Sequence, residues 1–182
     1  GVIPRSHELL PGERAKGRLG DIRLYNDKVA FVIEAAGPSD GYNPWGGGIL
    51  DASWLGSDGA PGPTWFGELI VGINIVGVDA ESVEVLSDGL EGGPAVVRVV
   101  GRGAPFEMFG ELLDAPDMPG PMWIEYSLDP GADALAMSVG FENAGASVID
   151  VPHLELGFLM GDGAAPFTPG GGFDLNRIEP RF

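Results

Sequence analysis

The stretch Met122–Gly145, MWIEYSLDPGADALAMSVGFENAG, decides the fold because it holds two runs with a period of two around one turn. Apolar side chains recur at every second position over residues 122–128 and again over 135–141. A period of two is typical of a strand with one buried face. Between the runs, Asp129-Pro130-Gly131 fixes one φ angle and tolerates a positive one, which favours a turn. The stretch therefore predicts an antiparallel β-hairpin.

The same pattern extends along the chain on both sides of this hairpin. Residues 20–36 alternate around Asn26-Asp27, which predicts a second hairpin, and the continuous apolar run 29–33 predicts a strand covered on both faces. The stretch 106–121 is ambiguous, because its first half could form one short helix before three prolines. Further strands are predicted at Ile49–Ala52, within 66–78 as one or two strands, at 82–86, 95–100 and within 148–160.

At least eight predicted strands with almost no helix indicate an all-β protein, an antiparallel β-sandwich. A length of 182 residues predicts one domain. We predict a basic N-terminal arm or linker over 1–19, the sandwich over 20–176 and a C-terminal tail over 177–182. We expect the arm to be a solvated lead-in; the alternative is that it docks on the acidic body or on a neighbouring domain.

The charge distribution excludes several classes of function. The net charge is -17, and no Lys or Arg occurs over 29–97 or 103–176. Phosphate binding needs clustered cations, so nucleic acid is not an expected partner. Cysteine is absent, which excludes disulfides and thiolate chemistry. No apolar run approaches the roughly 20 residues of a membrane helix, and the start at Gly1 without Met leads us to expect a mature or excised chain.

Part of the chain resembles a known family. Residues 123–158 resemble the middle of galactose-mutarotase-like β-supersandwiches, and residues 20–35 are similar to opening strands of β modules in large secreted bacterial proteins. The family positions matched are Tyr126, Leu128, Pro130, Asn143 and Gly145. The resemblance implies a supersandwich-like fold and an extracellular, periplasmic or cell-surface location.

His153 and Glu155 are the candidate catalytic residues. Residues two apart on a strand share one face, and a carboxylate beside an imidazole orients it for proton transfer. Mutarotase-like enzymes use a His and a Glu to move a proton at a sugar's anomeric centre, so the resemblance implies a carbohydrate-active enzyme as an alternative function. A solvent-facing polar strand is the interpretation that the sequence favours for this pair.

Aromatic residues near loops indicate a sugar-binding surface. Tyr42 and Trp45 lie in a turn-rich loop, with Asp40 and Asp51 nearby, and Trp54 and Trp65 follow. Aromatic faces stack on sugar rings while carboxylates accept hydrogen bonds from hydroxyls. The alternative is that these rings pack in the core or anchor loops. We predict Tyr42, Trp45, Asp40 and Asp51 as ligand-binding residues.

A calcium site is a further prediction, with Asp58, Asp88 and Asp162 as candidates in Gly-rich loops. The alternative is that each aspartate bonds its own backbone in a turn. Taken together, the sequence predicts a non-catalytic binding or structural module of an exported bacterial protein, with carbohydrate or a neighbouring domain as partner. The alternatives are the enzyme that uses His153 and Glu155, and a self-assembling structural subunit.

Overall fold

The computed structural model describes residues 1–106 and 115–151, and the backbone alone of three later strands, at 154–160, 167–168 and 172–173. His153, Asp162, the tail over 177–182 and most of the ambiguous stretch, residues 107–114, lie outside the described residues. Within that part of the chain, no helix has the length and apolarity needed to cross a membrane.

The described chain is all-β and antiparallel, as predicted. Its elements are a 3-10 helix (Ser6–Glu8) and strands β1 (Ile22–Tyr25), β2 (Val29–Ile33), β3 (Ile49–Trp54), β4 (Phe66–Ile73), β5 (Val76–Asp88), β6 (Ala95–Pro105), β7 (Pro121–Leu128), β8 (Ala136–Phe141), β9 (Leu154–Met160), β10 (Phe167–Thr168) and β11 (Gly172–Phe173). Strands β1 to β8 pair in chain order within one sheet, β9 pairs with β4, and β10 pairs with β11. The two-layer, supersandwich-like arrangement stays a prediction.

The hairpin predicted around Asp129-Pro130-Gly131 is confirmed as β7 and β8. Its register runs from Met122 opposite Phe141 to Ser127 opposite Ala136. The predicted buried face of β7 is also confirmed, because every second side chain is closed to solvent. These buried residues are Met122, Ile124, Tyr126 and Leu128.

Strand β2 is covered on both faces, as its continuous apolar run predicts. Val29 and Ile33 belong to the main core, whereas Ala30 and Val32 belong to a second, smaller core. Strands β1 to β8 all contribute residues to the main core or pack against it. A strand with no polar face needs a covering element on each side, and the arm supplies the second one.

The N-terminal arm, residues 1–19, is docked on the sheet. Ile3 and Leu10 are buried in the second core, and Val2 forms an isolated bridge with Ile22. The expectation of a solvated lead-in is therefore wrong for these positions, where apolar contacts hold the arm. The domain boundary at residue 19 stays a prediction.

The stretch 66–78 is two strands joined by a two-residue turn. Ile73 of β4 pairs with Val76 of β5, and the turn residues Asn74 and Ile75 have φ angles of 52° and 62°. Two consecutive positive φ angles are typical of the turn that matches the twist of a hairpin. Asn74 tolerates this conformation, whereas a β-branched residue such as Ile75 rarely adopts it.

Candidate functional site

The loop between β2 and β3 carries the predicted sugar-binding aromatics. We call residues 39–48 the aromatic loop. Tyr42 is 60% exposed, whereas Trp45 is half-buried and packs at a tilt against Phe106, with 5.8 Å between ring centroids. The outward ring of this loop is therefore that of Tyr42, and Trp45 anchors the loop to the fold.

A buried carboxylate from β4 holds the aromatic loop. Glu68 is 1% exposed and accepts hydrogen bonds from the backbone N–H of Tyr42 at 2.9 Å and of Asn43 at 2.7 Å. The ammonium of Lys16 lies 3.4 Å from its Oε2 atom. A buried carboxylate is stable only when it is paired and hydrogen-bonded, and these three donors meet that requirement.

Asp51, predicted as a ligand-binding residue, is bound to the N-terminal arm. It is 0% exposed and accepts hydrogen bonds from the backbone N–H of Lys16 at 3.0 Å and of Gly17 at 2.8 Å. Burial raises the pKa of its carboxyl, an effect that the two amide donors oppose. Both oxygens are thus engaged within the fold, and the ligand role of Asp51 stays a prediction.

Asp40, the second predicted acid, lies on the surface of the aromatic loop. Its side chain is 78% exposed and forms an ion pair with the guanidinium of Arg18, which is itself 54% exposed. A hydrogen bond from its own backbone and the pairing with Arg18 lower the pKa of Asp40. Asp40, two residues before Tyr42, is therefore a charged carboxylate with the cation of Arg18 beside it.

A third acid lies under the start of the loop. Glu34 is 7% exposed. Its backbone N–H donates to the carbonyl oxygen of Gly48, and its carbonyl oxygen accepts from the N–H of Gly47. Burial raises the pKa of its carboxyl, and a hydrogen bond with the side chain of Ser39 opposes this rise. Asn43 donates its side-chain amide to Gly46 O at 3.1 Å. The loop is thus fixed by polar contacts at both ends.

Two further rings are exposed where β3 ends and β4 begins. Trp54, the last residue of β3, is 64% exposed, and Trp65, immediately before β4, is 53% exposed. The strands are antiparallel, so these termini lie at the same end of the pair. The hydroxyl of Thr64 accepts hydrogen bonds from the amides of Ala52 and Phe66, which ties the two termini together. We use the name aromatic surface for the set of exposed rings Tyr42, Trp54 and Trp65.

The predicted calcium ligands do not come together in the described residues. Asp58 accepts a hydrogen bond from the Ala60 amide and Asp88 from the Leu90 amide, each at 3.0 Å. Both contacts are the local turn bonds given above as the alternative. No group of three or more His, Asp or Glu side chains suited to a metal ion occurs among the described residues.

The candidate catalytic pair is only partly described. Glu155 lies on β9 opposite Gly72 of β4, with its backbone alone described, and His153 lies outside the described residues. The enzymatic alternative therefore stays a prediction.

Two open cavities lie away from the aromatic surface. One of about 620 Å³ is at the tip of the β5–β6 hairpin, lined by residues such as Leu86 and Asp88. Another of about 510 Å³ lies beside Glu81 and Arg102, which form an ion pair. Neither is lined by the predicted ligand-binding residues, so we place the candidate site at the exposed rings.

Sequence reasoning missed Glu68, Lys16 and Arg18. The confinement of cations to the two ends and one central segment of an acidic chain was the available signal, since a basic arm must find carboxylates. The partner acid, by contrast, lies in an apolar strand with no local motif around it. No family model, no curated protein and no solved structure matches this chain.

Proposed function

We propose that this chain is a non-catalytic carbohydrate-binding module of an exported bacterial protein, and that the exposed rings of the aromatic surface contact its ligand. The observation that carries the proposal is the exposure of Tyr42, Trp54 and Trp65, each by more than half. Large aromatic rings normally bury much of their area in a fold. Rings held in solvent are available to stack on the C–H faces of sugars.

Polar groups beside Tyr42 support the same proposal. Asp40 and Arg18 are both more than half exposed, so they can exchange their mutual ion pair for hydrogen bonds to hydroxyl groups. Carbohydrate sites combine ring stacking with a few convergent polar groups. Of the predicted ligand-binding residues, Asp40 and Tyr42 belong to the proposed site, whereas Trp45 packs against Phe106 and anchors the loop.

A glycan array probed with the full chain, with and without calcium, tests this function. We expect binding that weakens by about 1–3 kcal/mol on Tyr42→Ala, Trp54→Ala or Trp65→Ala, the range for loss of a stacked aromatic contact. Dependence on calcium would indicate a metal site, for which Asp162 stays a predicted ligand.

Tyr25→Ala is the matched control, because Tyr25 is also 58% exposed. Tyr25 is the last residue of β1 and is not among the rings proposed to contact the ligand. The control should bind as the parent chain does. No glycan binding, or equal loss in the control, would contradict the proposal. Sugar turnover lost on His153→Ala would favour the enzyme, and self-association without glycan binding would favour the structural subunit.

A further inference from the structure

The aromatic loop is held by groups from two remote parts of the chain. We propose that the N-terminal arm is a latch for this loop. Glu68 is the positioning residue, Lys16 of the arm pairs with Glu68, and Arg18 of the arm pairs with Asp40 in the loop. The latch concerns loop order alone; its effect on sugar binding rests on the function proposed above.

Glu68 sets the direction of the loop. It receives the amides of two consecutive residues, Tyr42 and Asn43, one on each carboxylate oxygen. The preceding residue, Gly41, runs so close that an added Cβ would lie 2.7 Å from Oε2 of Glu68. The carboxylate therefore fills the space beneath the loop, and its two bonds fix where the Tyr42 ring leaves the backbone.

Lys16 is positioned to neutralise Glu68. Its backbone N–H is held by the buried carboxylate of Asp51, which fixes the start of the side chain. Its ammonium then lies 3.4 Å from Oε2 of Glu68, with the Lys16 side chain still 42% exposed. Removing one partner of a buried carboxylate leaves its charge poorly compensated. The arm thus supplies a cation on which the loop-holding group depends.

Arg18 engages the loop directly. Its backbone N–H donates to Asp21 at 2.6 Å, which holds this part of the arm, and its guanidinium pairs with Asp40. Asp40 and Tyr42 flank Gly41, and the arm acts on both. Arg18 pairs directly with Asp40, whereas Lys16 acts on Tyr42 through Glu68. Release of the arm should therefore loosen the loop as a unit.

Backbone amide exchange in the full 182-residue chain tests the latch. In Glu68→Gln we expect the amides of Tyr42 and Asn43 to exchange about tenfold faster, the scale of losing a hydrogen bond to a charged group. Lys16→Gln and Arg18→Gln should accelerate the same amides by a smaller factor. Unchanged exchange at these two amides in Glu68→Gln would overturn the proposal.

Arg98→Gln is the control, because the Arg98 side chain is 44% exposed, close to the 42% of Lys16, and its ion pair with Glu125 lies between β6 and β7. It should leave the loop amides unchanged, and an equal acceleration there would overturn the latch. If Glu68→Gln does not fold, the two arm variants decide, since Lys16 and Arg18 are both partly exposed; unchanged loop exchange in both would also overturn it.

Glycan binding separates the latch from the proposed function. We expect Lys16→Gln, which leaves every residue of the aromatic surface in place, to weaken glycan binding in parallel with faster loop exchange. If the parent chain binds no glycan while the exchange results hold, the function fails and the latch stands. If glycan binds but loop exchange is unchanged in the variants, the latch fails and the function stands.

Discussion

The hydroxyl of Tyr126 on β7 donates a hydrogen bond to the backbone carbonyl oxygen of Gly47 in the aromatic loop, over 3.0 Å. Tyr126 is 0% exposed, and burial raises the pKa of its phenol far above the ordinary value. The hairpin that decides the fold thus also anchors the loop that carries the candidate site.

Tyr126→Phe should lower the free energy of unfolding by about 1–2 kcal/mol, because the hydrogen bond is lost and the buried Gly47 carbonyl is left without that donor. Urea denaturation measures the change. Tyr25→Phe is the control, since Tyr25 is 58% exposed. We expect a change within about 0.5 kcal/mol there. An unchanged free energy of unfolding in Tyr126→Phe would mean that this hydrogen bond contributes nothing to stability.

Gly47→Ala should destabilise the protein more than Gly59→Ala. The two glycines have nearly equal φ angles, 75° and 76°, so both variants incur the left-handed backbone cost of about 1–2 kcal/mol. An added Cβ at Gly47 would lie 2.6 Å from Cγ1 of Val99, whereas at Gly59 it would meet open space. The difference between the two unfolding free energies therefore measures the crowding. Equal losses would show that the core yields at Val99.

Glu34→Gln should flatten the pH dependence of stability. Burial raises the pKa of Glu34 in the folded state, so above the ordinary glutamate value of about 4.3 the native state binds more protons than the unfolded state. The free energy of unfolding then falls as pH rises through the window up to the folded pKa. Asp51 contributes in the same direction, because its pKa is also raised, so the slope should shrink without vanishing.

Urea denaturation across roughly pH 4 to 8, the range in which shifted carboxyls titrate, measures that slope. The control is Glu91→Gln, because Glu91 is exposed in the β5–β6 turn. Its profile should follow that of the parent chain. A Glu34→Gln profile with the parent's slope would show that other groups govern the pH response.

Trp45→Ala should destabilise the fold, whereas Tyr42→Ala should not. Trp45 is half-buried against Phe106, and truncation of a partly buried aromatic costs about 1–3 kcal/mol. Tyr42 is 60% exposed, so its loss should stay within about 0.5 kcal/mol. Thermal unfolding monitored by circular dichroism compares them. A Trp45→Ala variant as stable as the parent chain would restore Trp45 as a candidate stacking platform.

Hairpins and core strands were predictable because their signal is local. Buried side chains such as Ile124 and Tyr126 alternate with Glu125 and Ser127, and only a strand places every second residue on one buried face. The turn at Asn74 and Ile75 was not predicted, although Asn is a turn former. Ile75 is a β-branched residue typical of strands, so that position gives no sign of a turn. Its positive φ is imposed by the paired strands on either side.

The sequence by itself determined the all-β class, the main hairpin and the double burial of β2, because each depends on the spacing of apolar residues along one segment. Only the tertiary structure decided which acids meet which cations. Glu68 and Lys16 are remote in the chain, and no local pattern marks their pairing. The pairing arises because apolar burial of Ile3 and Leu10 brings the arm across the sheet, where buried carboxylates require the donors that it carries.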